Sequence, residues 1–139
     1  MPFRSGEAIW EGSLKEGTGE LGTESGALTE KYSFGSRFKD DSGTNPEELI
    51  AAAHAGCYSM ALSLVLGHKG YTPTKIKTTA KVNIEPEELN ITTSSLTTEA
   101  IIPEISKKEF HKIAKKAKKE CPVTKALKGV NVELTAKLL

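Results

Sequence analysis

Two side chains in this sequence, Cys57 and Cys121, are of a type and in positions that suit redox chemistry. Cys57 falls inside the alanine-rich stretch NPEELIAAAHAGCYSMALSLVLG. Cys121 follows the basic run EFHKIAKKAKKE and stands directly before Pro122, where a helix must end or restart. Only a thiolate is a good nucleophile, and an unperturbed cysteine, with a pKa of about 8.5, is mostly protonated at neutral pH. A thiol in mid-helix and a second at a helix boundary suit an attacking and a resolving cysteine. The same placement also fits two unrelated core thiols, since free cysteine is among the most buried residue types. His54, three residues before Cys57, is its neighbour on a helical wheel. A metal site needs about four ligands, and His68 and His111 have no matching spacing. A hydrolase pairing Cys57 with His54 lacks a third group to orient the base. Trp10 and Tyr58 are most simply packing residues.

The element that must position Cys57 is a helix starting near Pro46. Asn45 is a favoured N-cap, Pro46 suits the first helical position, and Glu47 and Glu48 complement the positive helix start. Glu48, three residues past Asn45, approximates a capping box. Leu49, Ala53, Gly56, Met60 and Leu64 recur at helical spacing, which predicts one apolar face with Cys57 on the same stripe, flanked by Ile50, Ala53 and Ala61. Gly67 to Gly70 supply the stop. Leu62, Val65 and Leu66 place apolar bulk on the opposite face, and a helix apolar all round needs cover on every side. A dimer that sandwiches it is the simplest remedy. The small residues Ala51, Ala52, Ala53, Ala55 and Gly56 permit close approach of another backbone, although alanine is also simply the best helix former.

Around that helix, glycines punctuate the first forty residues into short segments, the pattern of a strand meander. TKIKTTAKVNIE alternates, with Ile76, Thr78, Ala80, Val82 and Ile84 on one face, and pairs with NITTSSLTTEAII across the PEEL turn. Ser106 and Glu109 form a second capping box, followed by the stripe Phe110, Ile113, Ala114 and Ala117. Pro122 opens a short helix, VTKALKG. VNVELTAKLL alternates as a closing strand. The order is α+β with a mostly antiparallel sheet, within one domain of 139 residues: a meander over about 1–40, a central helix over about 46–67, and a hairpin, C-terminal helices and strand over about 73–138.

The net charge of +1 gives no global field for nucleic acid or a membrane surface. The lysines of KKEFHKIAKKAKK read as the solvated face of a helix. No stretch approaches the ~20 consecutive apolar residues of a membrane span. MPFRSGEAIWEG lacks the apolar core of a secretory signal, so the reducing cytoplasm is the expected home. Two cysteines there are more often redox-active than a permanent staple.

GTNPEELIAAAHAGCYSMALSLVLGHKGYTPTKI together with ECPVTKAL, and WEGSLKEGTGELGTESGALTEKYSFGSRF before them, resemble the OsmC subfamily of the OsmC/Ohr hydroperoxide reductases. The resemblance covers nearly the whole chain. It implies an OsmC-like fold, assembled as an intertwined homodimer with sites at the subunit interface. It also implies a cofactor-independent thiol peroxidase acting on organic hydroperoxides in oxidative or osmotic stress defence. The family's peroxidatic cysteine maps to Cys57, its resolving cysteine to Cys121, its arginine to Arg37 in GSRF with Arg4 as the fallback, and its glutamate to Glu47. The expected cycle passes through a Cys57 sulfenic acid and a Cys57–Cys121 disulfide. An external dithiol, in the sister branch a lipoylated protein, restores both thiols.

Physical chemistry supports these roles. Burial raises a thiol pKa, so a nearby cation is required, and arginine supplies one that never loses its charge. Its donors can also hold a peroxide oxygen and stabilise the departing alkoxide. Glu47 can pair with the guanidinium and fix its orientation, which is compatible with its offsetting the helix macrodipole. Ten residues of continuous helix rise by roughly 15 Å, so Glu47 is expected to serve the Cys57 of the other subunit. Leu49, Ile50, Met60 and Leu64, with Phe38 nearby in sequence, form the expected apolar lining for bulky peroxides. The competing readings are a non-enzymatic dimeric module that binds an apolar small molecule with both thiols inert, and a thiol-based stress sensor.

Overall fold

In the computed structural model, which describes residues 2–139, the chain divides into two compact units, one ending at Leu49 and one spanning Ile50–Leu139. In the first unit, β1 (Gly6–Glu11), β2 (Thr18–Thr23) and β3 (Thr29–Tyr32) form an antiparallel meander in sequence order. Gly19 is required where Trp10 and Tyr32 stack across the sheet, 5.3 Å between ring centroids. A Cβ at that position would meet both rings at about 2.5 and 2.6 Å.

A short helix, α1 (Phe34–Phe38), follows. The segment reads from sequence as strand and turn, and the structure corrects this. Ser33 is its N-cap: the Ser36 N–H donates to Ser33 Oγ at 3.1 Å, and the Ser33 N–H donates to Ser36 Oγ at 2.8 Å. The Ser36 hydroxyl also donates to the Thr44 carbonyl at 2.7 Å, and Asn45 Nδ2 donates to the Ser36 carbonyl at 3.0 Å. These bonds tie α1 to the start of the long helix.

That helix, α2 (Pro46–His68), starts as its sequence predicts, with the Glu48 N–H donating to Asn45 Oδ1 at 2.7 Å. The Glu48 carboxylate instead accepts from the Thr44 hydroxyl at 2.7 Å. It stops where the Tyr71 N–H returns to the Leu66 carbonyl at 2.9 Å and Gly70 takes φ +86°. One expectation for α2 needs correction. By length and composition alone the helix is long and apolar enough to cross a membrane, a test that the core helix of a soluble protein also passes, because the charges sit only at its ends and alanine fills the gaps between larger apolar residues. Within the chain the core covers the face carrying Leu62, Val65 and Leu66: His54, Tyr58, Ala61, Leu62, Val65 and Leu66 are buried, whereas Met60 is 76% and Leu64 58% exposed. The bulkier stripe is the one the core can fill.

In the second unit, β4 (Lys75–Val82) and β5 (Thr93–Ile101) pair antiparallel across the PEEL turn, and β6 (Asn131–Leu138) joins β5 in parallel. A parallel neighbour requires a crossover. Here α3 (Lys107–Glu120) and α4 (Pro122–Ala126) provide it. The described strands thus form two three-stranded sheets, antiparallel in every pairing except this one. Ser106 caps α3, its Oγ accepting from the Glu109 N–H at 3.1 Å. The predicted stripe Phe110, Ile113, Ala114 and Ala117 is buried. Phe110, Ile113 and Ala117 meet Tyr58, Leu62 and Leu66 of α2 and Leu96 and Ala100 of β5 in one apolar cluster, which roots the part of α2 that carries Cys57.

Candidate active site

Both cysteines are free thiols in the second unit, Cys121 buried and Cys57 half-buried. Cys57 packs against the core cluster to which Cys121 belongs. Its position on α2 is fixed one residue later by Tyr58, fully buried with its hydroxyl donating to the Ala114 carbonyl at 3.1 Å. Cys121 is at once the C-cap of α3 and the N-cap of α4. Pro122 follows as the first residue of α4, where the missing N–H costs nothing. The next amide, Val123, is one of the orphan donors at a helix start.

The Cys57 thiol feels its surroundings. Burial pushes the Cys57 pKa up, the Val123 backbone N–H opposes this by favouring the thiolate, and the neighbouring Cys121 adds to the rise. The pair as it stands in this unit therefore favours protonated Cys57, and efficient nucleophilic attack calls for a positive charge from elsewhere. Val123 is a contributor that sequence reasoning missed. Its signal was the Cys-Pro pair, which makes the following amide the first available donor.

His54, considered from sequence as a partner for Cys57, is engaged otherwise. It is 0% exposed. Its Nδ1 lies 2.7 Å from Ser94 Oγ on β5, and its Nε2 lies 2.8 Å from Thr124 Oγ1 on α4. Burial lowers its pKa, favouring the neutral ring, and either neutral tautomer has a hydroxyl at each nitrogen. No periodicity marked Ser94 or Thr124, because long-range polar pairing leaves no trace in local spacing.

The first unit brings together the other two predicted residues. From α1, Arg37 Nε donates to Glu47 Oε1 and Oε2 at 3.1 and 3.2 Å, and Arg37 Nη2 donates to Oε1 at 2.7 Å. The carboxylate is buried, 7% exposed, and the guanidinium side chain 32% exposed. Arg37 also lies over the Phe38 ring, 5.5 Å from its centroid, and Phe38 stacks on Phe34 at 5.0 Å. Phe38 and Leu49 of this unit are half-buried, as is Ile50 of the second. Met60 and Leu64 are exposed, so they do not form an enclosed lining within their own unit. Arg4, the alternative arginine, is exposed and, among the described residues, donates to the Phe3 carbonyl at 3.0 Å. A concavity of about 480 Å³ opens on the meander, lined by residues such as Ile9, Lys31, Tyr32 and Ser33. It contains neither cysteine.

This arrangement, a mixed helix–sheet fold with two neighbouring thiols and a bonded arginine–glutamate pair, can be set beside known proteins. Residues 39–135 match the family described as OsmC-like protein. The chain is 49% identical over 129 residues to peroxiredoxin OsmC of Escherichia coli, covering 91% of this chain and 90% of that protein. It is 31% identical over 103 residues to an organic hydroperoxide resistance protein-like protein of Staphylococcus aureus, covering 72% of this chain and 74% of that one. The fold also matches the crystal structure of an organic hydroperoxide resistance protein from Elizabethkingia anophelis. There the TM-score is 0.75 and the identity 25%, over 99% of both chains. The chain belongs to the OsmC-like protein family.

Proposed function

We propose that this chain is a thiol-dependent peroxidase that reduces organic hydroperoxides to alcohols. The observation that carries the reading is the placement of Cys57 and Cys121 as neighbours, with the first half-buried and the second sealed. The names of the curated relatives, a peroxiredoxin and an organic hydroperoxide resistance protein-like protein, support the same class.

In the proposed cycle the Cys57 thiolate attacks one oxygen of the peroxide and breaks the O–O bond. The sulfur is oxidised to a sulfenic acid, and the alkoxide leaves and takes up a proton to become the alcohol. Cys121 then attacks the Cys57 sulfur, forming the disulfide and releasing water, which protects Cys57 from irreversible over-oxidation. An external dithiol, for which lipoylated proteins are candidates, reduces the disulfide by exchange and is itself oxidised. Arg37 is the proposed cation that lowers the Cys57 pKa and steadies the departing alkoxide, and Glu47 fixes its direction.

The working form is proposed to be an intertwined homodimer. The exposed stripe of α2 that includes Gly56, Met60 and Leu64 is an apolar face for a second copy. The roughly 15 Å rise of ten helical residues favours delivery of Arg37 and Glu47 to Cys57 of the partner subunit. Leu49, Ile50, Met60 and Phe38 would then line the approach and favour bulky peroxides over hydrogen peroxide. The site is suited to stress defence in a reducing compartment such as the cytoplasm, where a dithiol pool can recycle it.

Peroxide consumption with cumene hydroperoxide and hydrogen peroxide, recycled by dihydrolipoamide or by thioredoxin, tests the proposal. Turnover should be faster with the organic peroxide and be abolished by Cys57→Ser, with folding retained. A wild-type protein inert toward both peroxides with every dithiol would overturn it.

A further inference from the structure

We propose that His54 is a positioning residue for closure of the Cys57–Cys121 disulfide: through its bond to Thr124 it holds α4, and with it Cys121, in register with Cys57. The inference rests on the peroxidase reading above and adds a residue to it. His54 precedes Cys57 by three residues on α2, and Thr124 follows Cys121 by three residues on α4. The same two elements are thus joined at two levels about one helical turn apart, at the thiol pair, where the Val123 N–H also reaches Cys57, and at Nε2 and Oγ1, 2.8 Å apart.

Beyond that bond, α4 is held through Val123 and its junction with Cys121. It has five residues and none is buried. Val123, half-buried, packs against the core cluster, and Cys121 itself anchors the start. The His54 ring cannot swing away cheaply, because Nδ1 is engaged by Ser94 Oγ at 2.7 Å, and both His54 and Ser94 are fully buried. Rotation would strand a buried polar atom on each side. The ring therefore transmits the fixed position of β5 to a helix too short and too exposed to fix itself.

Closure of the disulfide requires the Cys121 sulfur to reach the Cys57 sulfenic acid, form the S–S bond and expel water. Its rate depends on how often the two sulfurs are held in line, which is a matter of effective concentration. The second rung raises that frequency without touching the reacting atoms.

The test is Thr124→Val, which keeps shape at a half-buried position and removes the hydroxyl, with Thr124→Ser as the rescue. In single turnover, formation of the Cys57 sulfenic acid should keep its wild-type rate in Thr124→Val. Disulfide closure should slow roughly fivefold, the factor that matches one lost hydrogen bond, and Thr124→Ser should restore it. The thiol–disulfide equilibrium against glutathione should shift by a similar factor toward the dithiol. A merely structural bond would lower the stability of reduced and oxidised protein alike and leave that equilibrium in place. Wild-type closure and wild-type equilibrium in Thr124→Val would overturn the inference. The glutathione measurement needs no peroxidase activity, so it decides the positioning role even for a wild-type protein that consumes no peroxide, an outcome that overturns the peroxidase reading alone.

Discussion

Arg37 and Glu47, ten residues apart, are joined by three hydrogen bonds, and the carboxylate is the more deeply buried partner. In the proposed site the pair would be delivered to a Cys57 as one unit. Arg37→Met should lower kcat/KM by about 10²-fold or more and move the pH–rate profile of Cys57 alkylation upward, because the thiol is already raised by burial. It should also destabilise the chain by stranding the buried Glu47 charge. Arg37→Met combined with Glu47→Leu should recover the stability and none of the activity. Thermal melts and alkylation rates across pH separate the two effects.

Cys121→Ser should give a single turnover that stops at the sulfenic acid, which dimedone traps at Cys57. With excess peroxide the same variant should proceed to sulfinic acid, visible as a mass increase on the peptide carrying Cys57.

Gly56 has open space where a Cβ would stand. Gly56→Leu should therefore leave the fold of each chain intact, since nothing within it clashes. If two copies of α2 cross at this face, the substitution should shift the protein from dimer to monomer and reduce turnover at least tenfold, because the arginine–glutamate pair would no longer be presented. Analytical ultracentrifugation alongside the peroxidase assay checks both outcomes.

Burial holds the His54 pKa below its ordinary 6.5. In the unfolded chain the imidazole takes up a proton as pH falls through about 6.5, whereas the folded protein takes it up only at lower pH. The His54 contribution to stability is therefore complete above that value and is lost progressively as pH falls toward the folded pKa. Urea unfolding between pH 5 and 8 should show this decline, and His54→Asn should flatten it.

Recycling should begin at Cys57. Thiol exchange goes to the accessible sulfur, and Cys57 is half-buried while Cys121 is sealed. Oxidised protein treated with glutathione and quenched early should carry the mixed disulfide on Cys57, with Cys121 recovered as the free thiol. Mass mapping of the tryptic peptides decides it.

Much of this was legible along the chain. Asn45, Ser106 and the stripe of α3 announced their helices because capping and amphipathic spacing are local properties, and β4 and β6 announced themselves by alternation. The two thiols were conspicuous for the same reason. Helix α1 was missed although Ser33 and Ser36 encode its cap, because glycine-rich surroundings favoured a turn. Which face of α2 the chain's own core covers was not legible, because alanine and leucine occupy several of its faces and only the tertiary core chooses among them. The contacts of His54 with Ser94 and Thr124 span 40 and 70 residues, beyond the reach of any local pattern. The parallel pairing of β6 likewise follows from the path of α3 and α4, which no single strand records.

Because Cys121 sits within the crossover that carries the chain from β5 to β6, a bond to Cys57 would lasso β4, β5 and α3 into one covalent ring. Chain-entropy reasoning assigns such a ring about 4 kcal/mol against unfolding. Each catalytic round would thus alternate between a stapled and an unstapled molecule, and heat resistance would serve as a label-free gauge of redox state.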